Sequence, residues 1–343
     1  MTLEASSARL ADAYDLALVD LDGVAYRGPE AIPHAPESLS AARAAGMSIA
    51  FITNNASREP ETVAEHLVAL GIDSSPDEVL TSAQAAAALL AAEVDEGAPV
   101  LVVGGAGLLT AVRRAGYRLV TSADESPVAV VQGFAPEVSW RELAEAAYAV
   151  QRGALHVVSN LDLTLPNERG LAPGNGSLVG AVVNATGVEP VSAGKPEPAM
   201  YELAVRRCGA RRPLVVGDRL DTDLGGARAA GYPGLHVFTG VSDARDAVLA
   251  APGERPTFVS VDLRGLLEPH PAPAAASDGW WVCGARAARV DGGELQLDAR
   301  GSVDIDLVRA ACGAAWSAAD AGRPVRPEAV PPLTPDAAPV HGH

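Results

Sequence analysis

The chain of 343 residues is long enough for two or three domains, and its 48% of hydrophobic residues can fill a sizeable core. Lysine and arginine total 26 against 43 aspartate and glutamate residues, so the formal net charge is −17. We therefore expect neither nucleic acid nor an anionic membrane as a partner. No signal peptide or membrane span is predicted, because no basic stretch precedes an apolar core and no apolar run approaches about 20 residues. The three cysteines lack framework spacing and predict reduced thiols in a cytoplasmic protein.

The first predicted strand, residues 16–19, is a short apolar run that ends in two carboxylates. Asp20 and Asp22 begin on one face of the extended chain, and a turn at Gly23 lets both converge on one site. Two such carboxylates repel each other by roughly 4 kcal/mol at about 4 Å and an effective dielectric constant near 20. A hard cation such as Mg²⁺ would compensate this repulsion. The alternative is a pair of solvated aspartates at the end of a strand.

Helices and strands alternate over the next part of the chain. The predicted helices are residues 34–45, 59–70 and 82–92, and a predicted strand, residues 49–52, ends in Thr53-Asn54-Asn55. From residue 98 to 188 the alternation starts again, which predicts a second α/β unit. Its predicted strands are residues 100–103, 128–131 and 155–158, and its predicted helices are residues 108–115 and 139–153.

The segment from residue 160 to 176 shows little regular pattern, and loops of this length in a compact domain are often functional. Ser177 is the predicted N-cap of the following helix, which is expected to end near Gly187. After residue 190 comes an isolated Lys195. A strand at residues 214–216 then ends in Gly217-Asp218-Arg219-Leu220-Asp221-Thr222-Asp223.

The last part of the chain is predicted to hold two more strands, a linker and a small extension. The predicted strands are residues 235–238 and 258–261, followed by a short segment at 263–267. The linker covers residues 269–278, the small α+β extension residues 279–322 and a disordered tail residues 323–343. Within the extension, we expect a hairpin turn at Asp291-Gly292-Gly293 and a helix over residues 305–319.

Three apolar strands thus deliver polar groups at their carboxyl ends, where open α/β sheets bind ligands. The Asp20-Leu21-Asp22-Gly23 run, the hydroxyl of Thr53 followed by asparagines, the lone Lys195 and the Gly217–Asp223 motif occur in that order. Together they resemble the four motifs of the haloacid dehalogenase superfamily, over residues 16–267. The finer pattern is similar to the NagD-type branch, which has a large cap.

The resemblance implies an α/β fold with a Rossmann-like doubly wound core and an inserted α/β cap domain. Residues 1–82 and 190–268 would form the catalytic core, and residues 83–189 the cap. It also implies phosphatase chemistry, in which Asp20 is the nucleophile and Asp22 the general acid and base. Mg²⁺ would bind the carboxylates of Asp20 and Asp218 and the main-chain carbonyl of Asp22. Asp223 would lie behind these ligands or bind weakly.

Other residues of the motifs would hold the phosphate. Thr53 and the backbone amides after it would bind phosphate oxygens, and Lys195 would screen their charge. Asn54 is a further phosphate-binding candidate, although an asparagine here is as often a turn former. Asp221 is an additional acid that is best explained as a solvated loop carboxylate.

A large cap that encloses the site implies a small phosphorylated metabolite as the substrate. Within the superfamily, the chain is most similar to the actinobacterial glycerol 3-phosphate phosphatases, which makes glycerol 3-phosphate the expected substrate. Asn167, Arg169 and Asn175 of the cap loop are the predicted substrate contacts. Pyridoxal, sugar and nucleotide phosphates and 4-nitrophenyl phosphate stay open, as does a non-catalytic binding module with this fold. The sequence also allows a homodimer.

Overall fold

The computed structural model describes residues 2–167, 169–298 and 301–336, without the side chains of residues 166 and 167. Glu168, the side chain of Asn167 and the last residues of the predicted tail therefore lie outside the described part. The chain divides into two compact units. The first comprises residues 1–50, 70–73 and 205–343, and the second comprises residues 51–69 and 74–204.

The secondary structure confirms the predicted alternation of strands and helices. The helices are α1 (Leu10–Ala13), α2 (Ala35–Ala44), α3 (Pro60–Ala69), α4 (Ser82–Glu93), α5 (Ala106–Arg114), α6 (Trp140–Gln151), α7 (Asn175–Thr186), α8 (Ala199–Cys208), α9 (Gly225–Ala229), α10 (Ala244–Leu249) and α11 (Ile305–Asp320). The strands are β1 (Leu16–Asp20), β2 (Tyr26–Arg27), β3 (Glu30–Ala31), β4 (Ser48–Thr53), β5 (Val79–Thr81), β6 (Pro99–Val103), β7 (Arg118–Val120), β8 (Ala129–Gln132), β9 (Leu155–Val158), β10 (Thr164–Asn167), β11 (Gly170–Pro173), β12 (Val191–Ser192), β13 (Pro213–Gly217), β14 (Gly234–Val237), β15 (Phe258–Ser260), β16 (Ala274–Ala275), β17 (Trp280–Cys283), β18 (Arg286–Asp291) and β19 (Glu294–Leu297).

The first unit contains a parallel sheet in which β1, β13, β14 and β15 are neighbours in that order. Every residue of these four strands is buried. Continuous apolar runs of this kind suit a parallel sheet, because both of its faces are covered. Parallel pairing also brings the carboxyl ends of β1 and β13 to the same edge, where polar residues follow both strands.

The C-terminal segment belongs to the same unit as this sheet. Strands β16 to β19 form an antiparallel sheet, and the hairpin between β18 and β19 turns at Gly292 and Gly293, as predicted. Helix α11 packs on this sheet and shares a hydrophobic cluster with α10 and β15. The indole N–H of Trp316 donates to the Ala247 carbonyl at 3.0 Å, which ties α11 to α10. The extension therefore completes the core of the first unit.

Ordered structure continues beyond the expected limits of the linker and tail. Part of the predicted linker forms strand β16, which pairs with β17. In the predicted tail, Val325, Val330 and Leu333 are buried in the cluster around α11. Proline-rich composition suggested disorder, but three well-spaced apolar side chains are enough to hold this segment against the helix.

The second unit contains a parallel sheet with the strand order β12, β9, β8, β6, β7. In the same unit, residues 51–53 of β4 pair in parallel with residues 79–81 of β5. The segment expected to be irregular holds an antiparallel hairpin, β10 and β11, in which Thr164 pairs with Pro173. Helix α7 begins at Asn175 with Gly174 as its N-cap, so the predicted cap at Ser177 is wrong. The Ser177 hydroxyl instead donates to the Leu163 carbonyl at 2.7 Å.

Within the described part of the chain, no helix has the length and apolar character that crossing a bilayer requires.

Candidate active site

Two parallel strands of the first unit bring three of the predicted aspartates together. Asp20 ends β1, and Asp218 directly follows β13, its neighbour in the sheet. Asp223 lies in a π-helical turn, Leu220–Leu224, that leads into α9. One carboxylate oxygen of each aspartate lies within 4.8 Å of the other two, and all three residues are buried.

A cation would relieve the repulsion in this cluster. At the 4.8 Å limit and an effective dielectric constant near 20, each pair of charged carboxylates costs about 3–4 kcal/mol. The ligands are all carboxylate oxygens, which hard cations such as Mg²⁺ prefer. The donor set therefore fits Mg²⁺. The oxygen of Asp223 lies within the same 4.8 Å limit of the other two, so Asp223 can reach the same ion.

Glycines make room for the carboxylates at three positions. A Cβ at Gly217 would lie 2.2 Å from the Cβ of Asp223. At Gly240 a Cβ would lie 1.8 Å from Oδ2 of Asp218, and at Gly23 it would lie 2.6 Å from the same atom. Gly23 also has a φ angle of +91°, which favours glycine. A side chain at any of these positions would displace a carboxylate.

Backbone and ring donors hold Asp218 in place. Its Oδ2 accepts the N–H of Val241 at 2.6 Å, and its carbonyl oxygen accepts the N–H of Ser242 at 3.0 Å. Nε2 of His236 faces the carbonyls of Asp218 and Ser242, at 3.3 and 3.1 Å, so Nε2 carries the ring proton. Burial lowers the pKa of His236 to about 4, and the ring is therefore neutral at pH 7.

Asp22 lies in a different environment, because its side chain is exposed. Partial desolvation nevertheless raises the pKa of its carboxyl group, and the positive charge of Arg27 acts in the opposite direction. A raised pKa helps a carboxyl group to hold a proton and to donate it. A buried Asp20 and an exposed Asp22 with a raised pKa fit the predicted division between nucleophile and general acid.

Asp221 lies outside the cluster. It is exposed and forms an ion pair with Arg219 at 2.8 Å. This is the solvated loop carboxylate that the sequence favoured for this position.

The second unit holds the predicted phosphate-binding residues Thr53 and Lys195. Thr53 ends β4 and is buried, and its Oγ1 accepts the backbone N–H of Asn55 at 3.1 Å. The hydroxyl keeps its own hydrogen for donation. Lys195 is also buried, and a buried ammonium group is costly unless anionic or polar groups surround it. Both residues are thus suited to a site that binds an anion.

The side chain of Asn54 makes hydrogen bonds within the protein, so its predicted phosphate contact stays a prediction for its backbone amide alone. Its Oδ1 accepts the backbone N–H of Lys195 at 2.8 Å, and its Nδ2 donates to the Lys195 carbonyl at 3.1 Å. The same Nδ2 lies 3.2 Å from a carboxylate oxygen of Asp162. Because the amide already serves both backbone groups of Lys195, its function is to fix that residue.

The predicted substrate residues of the cap loop also differ from one another. Asn175 is buried, and its Nδ2 donates to the carbonyl of Asn160 at 2.7 Å. It therefore supports the loop from inside, and its prediction as a direct substrate contact does not fit this burial. Arg169 is exposed, and the side chain of Asn167 lies outside the described residues.

Sequence reasoning did not single out Asn160 or the loop of residues 239–242, both of which follow buried strands. Asn160 comes shortly after β9, and its Nδ2 donates to the Asn54 carbonyl at 2.8 Å. The loop of residues 239–242 comes shortly after β14 and contacts Asp218. The signal that identified Asp20, a polar residue at the end of an apolar strand, was present at both places.

Comparison with protein families gives three matches. Residues 17–118 match the haloacid dehalogenase-like hydrolase family, and residues 192–266 match a second family, described as HAD-hydrolase-like. Residues 283–332 match a GCN5-related N-acetyltransferase like domain and overlap the predicted small α+β extension, residues 279–322.

Curated proteins with similar sequences are phosphatases by name. The chain is 46% identical over 332 residues to the D-glycerol 3-phosphate phosphatase of Mycobacterium tuberculosis, covering 93% of this chain and 92% of that protein. It is 40% identical over 235 residues to acid sugar phosphatases of Staphylococcus aureus, covering 68% of this chain and 90% of those proteins.

Solved structures that are similar to this chain also include phosphatases by name. A glycerol phosphate phosphatase from Mycobacterium tuberculosis in complex with magnesium superposes with a TM-score of 0.83 at 45% identity, covering 94% of each chain. A thermostable NPPase from Geobacillus stearothermophilus has a TM-score of 0.67 at 34% identity, covering 73% of this chain and 96% of that one. Taken with the aspartate cluster and the parallel sheet, these similarities establish that the chain belongs to the haloacid dehalogenase superfamily, in its NagD-type branch.

Proposed function

We propose that this protein is a Mg²⁺-dependent phosphatase that hydrolyses a small phosphate monoester through an aspartyl-phosphate intermediate. The observation that carries the proposal is the buried cluster of Asp20, Asp218 and Asp223, with Asp22 two residues beyond the first of them. The cluster offers a carboxylate nucleophile beside a cation site. When bound, Mg²⁺ supplies positive charge that stabilises the phosphoryl oxygens.

Two carboxyl groups of this chain account for both halves of the reaction. The carboxylate of Asp20 attacks phosphorus, the bond to the ester oxygen breaks, and that oxygen takes the proton held by Asp22. Asp22 then takes a proton from water, whose oxygen attacks phosphorus and breaks the bond to Asp20. Phosphate leaves, and both carboxyl groups return to their starting states. The raised pKa of Asp22 favours the first step.

Thr53 and Lys195 are our proposed phosphate-binding residues. The hydroxyl of Thr53 has a hydrogen to donate, and the buried ammonium group of Lys195 favours an anionic neighbour. Asn54 acts indirectly in this proposal, because it holds the backbone of Lys195 on both sides of the residue.

For the substrate we propose glycerol 3-phosphate. The relative that covers nearly the whole chain carries that activity in its name, and the relatives named acid sugar phosphatase cover about two thirds. A small polar ester offers little apolar surface, so oriented polar groups must select it. Arg169 and Asn167 are our candidates for those groups, since Asn175 is committed to the loop.

The test is a phosphate-release assay with Mg²⁺ that compares glycerol 3-phosphate with pyridoxal phosphate, a hexose phosphate, a nucleoside monophosphate and 4-nitrophenyl phosphate. We expect the highest kcat/KM for glycerol 3-phosphate, because a polar site rejects esters that leave its own groups unpaired. A tenfold preference for another ester would overturn the substrate and leave the reaction intact. Absence of metal-dependent turnover with every ester would favour a binding module.

We further propose that residues 1–82 and 190–268 act as the catalytic core and residues 83–189 as the cap. Cytoplasmic location is supported by the three cysteines, which form no disulfide bonds with one another. We propose a homodimer on the exposed apolar side chains of the second unit, such as Trp140 and Leu171. Light scattering of the purified protein tests this last point.

A further inference from the structure

The loop that follows β14, residues 239–242, contacts both segments that supply the clustered aspartates. On one side, Oγ1 of Thr239 donates to the carbonyl oxygen of Gly23 at 2.6 Å. Gly23 is the residue after Asp22, so this bond acts on the turn that follows the first motif. Arg27, from the end of the same turn, donates back to the carbonyl oxygen of Thr239. The two segments are therefore joined in both directions.

On its other side, this loop holds the Asp218 segment. Val241 donates its N–H to the Asp218 carboxylate at 2.6 Å, and Ser242 donates its N–H to the Asp218 carbonyl at 3.0 Å. The Ser242 hydroxyl accepts the N–H of Leu220 at 3.2 Å, two residues further along the same motif. Gly240 lies against the carboxylate so closely that a Cβ there would be 1.8 Å from Oδ2.

We propose that Thr239 is a positioning residue that sets the separation of the Asp20 and Asp218 carboxylates and so prepares the cation site. This proposal rests on the proposed function and adds a residue to it. The carboxylates repel one another before the ion binds, and the pairing of β1 with β13 stops short of both aspartates, so further contacts must hold the turns that follow the two strands. Thr239 is suited to this, because its side chain holds one segment while the two residues after it hold the other.

The bond from Thr239 has one donor and one backbone acceptor, so an isosteric substitution removes it cleanly. Thr239→Val keeps the shape and removes the donor, whereas Thr239→Ser keeps the donor. Thr257→Val is a matched control from the same unit. The hydroxyl of Thr257 also makes one hydrogen bond to the backbone, in which it accepts the N–H of Gly234 at 3.1 Å. That bond lies at the amino end of β14, away from the aspartates.

The experiment is a titration with Mn²⁺, followed by electron paramagnetic resonance without substrate, on the full chain and each variant. Partners that orient metal ligands typically contribute about 10–100-fold to metal affinity. We therefore expect Thr239→Val to raise the Kd for Mn²⁺ by about that factor, and Thr239→Ser and Thr257→Val to stay within about threefold of wild type. The melting temperature of each metal-free variant is recorded in parallel.

Three results would overturn the proposal. One is wild-type Mn²⁺ affinity in folded Thr239→Val. Another is an equal loss in Thr257→Val, which would indicate general destabilisation. The third is a failure of Thr239→Ser to restore affinity. If Thr239→Val does not fold, Thr239→Ala replaces it, since a water molecule can then reach the Gly23 carbonyl. Asp218→Asn is the reference, and a wild-type protein that binds Mn²⁺ no better than this variant refutes the cation site itself.

Discussion

Replacing Asp223 by asparagine should stabilise the metal-free protein and reduce its response to Mg²⁺. Asp223 takes part in two of the carboxylate pairs within the cluster, whose oxygens lie within 4.8 Å of one another. Each charged pair costs about 3–4 kcal/mol at an effective dielectric constant near 20. Hydrogen bonds, such as the one that Asp223 accepts from the N–H of Arg219, relieve part of this cost, so we expect a net gain of about 1–3 kcal/mol. For a unit of this size, each kcal/mol corresponds to about 2–4 °C in Tm.

The response to Mg²⁺ changes in the opposite direction. At a concentration one hundred times its Kd, a ligand adds about 2.7 kcal/mol to the stability of the folded state. If the substitution weakens binding about one hundredfold, the same concentration adds only about 0.4 kcal/mol by the same relation. Thermal melts in EDTA and in MgCl₂ measure both effects on one sample.

Asp221→Asn is the matched control, because Asp221 is two residues away, exposed and outside the cluster. It should leave the Mg²⁺-dependent rise in Tm unchanged. The reasoning fails if Asp223→Asn melts below wild type in EDTA and keeps the full rise in MgCl₂. That outcome would mean that the three carboxylates neither repel one another nor share an ion.

Asp20→Asn should abolish phosphate release, because an amide does not attack phosphorus, and Asp22→Asn should slow it by about 10²–10⁴-fold; near-normal turnover by the first variant would contradict the mechanism. Burial lowers the pKa of His270 to about 4, below its usual 6.5, so its contribution to stability is complete above pH 6.5 and is lost as the pH falls from 6.5 towards 4. Denaturant melts at pH 7.5 and 5 should show a loss of about 2 kcal/mol from this residue, and His270→Gln should be less sensitive to pH. A chain that ends at Pro269 should be insoluble or unfolded, because it lacks Trp316 and the rest of α11; a soluble product with a cooperative circular dichroism melt would contradict this.

The sequence predicted the strands and the aspartate cluster well, because both depend on local patterns. Buried parallel strands appear as continuous apolar runs, and the residue after such a run lies at the ligand-binding edge of the sheet. Asp20 and Asp218 needed only this rule and their order along the chain. The role of each aspartate in the cluster was harder to predict, because the distance of Asp223 from the other two depends on a π-helical turn.

The role of Asn54 could not be read from its surroundings in the sequence. An asparagine after a strand can form a turn, bind a ligand or bond to a distant backbone, and the sequence does not separate these. Its partner, Lys195, is 141 residues away. The same limit explains why residues 239–242 were overlooked, because their partners Gly23 and Asp218 are brought close only by the packing of the sheet.

Composition misled the prediction of the C-terminal segment. Proline and alanine are common in linkers and disordered tails, and both types are frequent after residue 268. In the predicted tail, the few apolar residues are spaced too irregularly to predict a strand or helix. Val325, Val330 and Leu333 nevertheless lie in the cluster around α11, where tertiary contacts alone decide their burial.

The parallel pairing of β1 with β13 has a consequence for synthesis of the protein. Leu16 pairs with Pro213, so β1 leaves the ribosome nearly two hundred residues before this partner emerges. Residues 74–204 of the second unit emerge in the meantime, and we expect this unit to fold first. The core of the first unit is complete only after α11 has emerged. During that interval β1 has an unpaired apolar edge, and chaperones that bind extended apolar segments should recognise it.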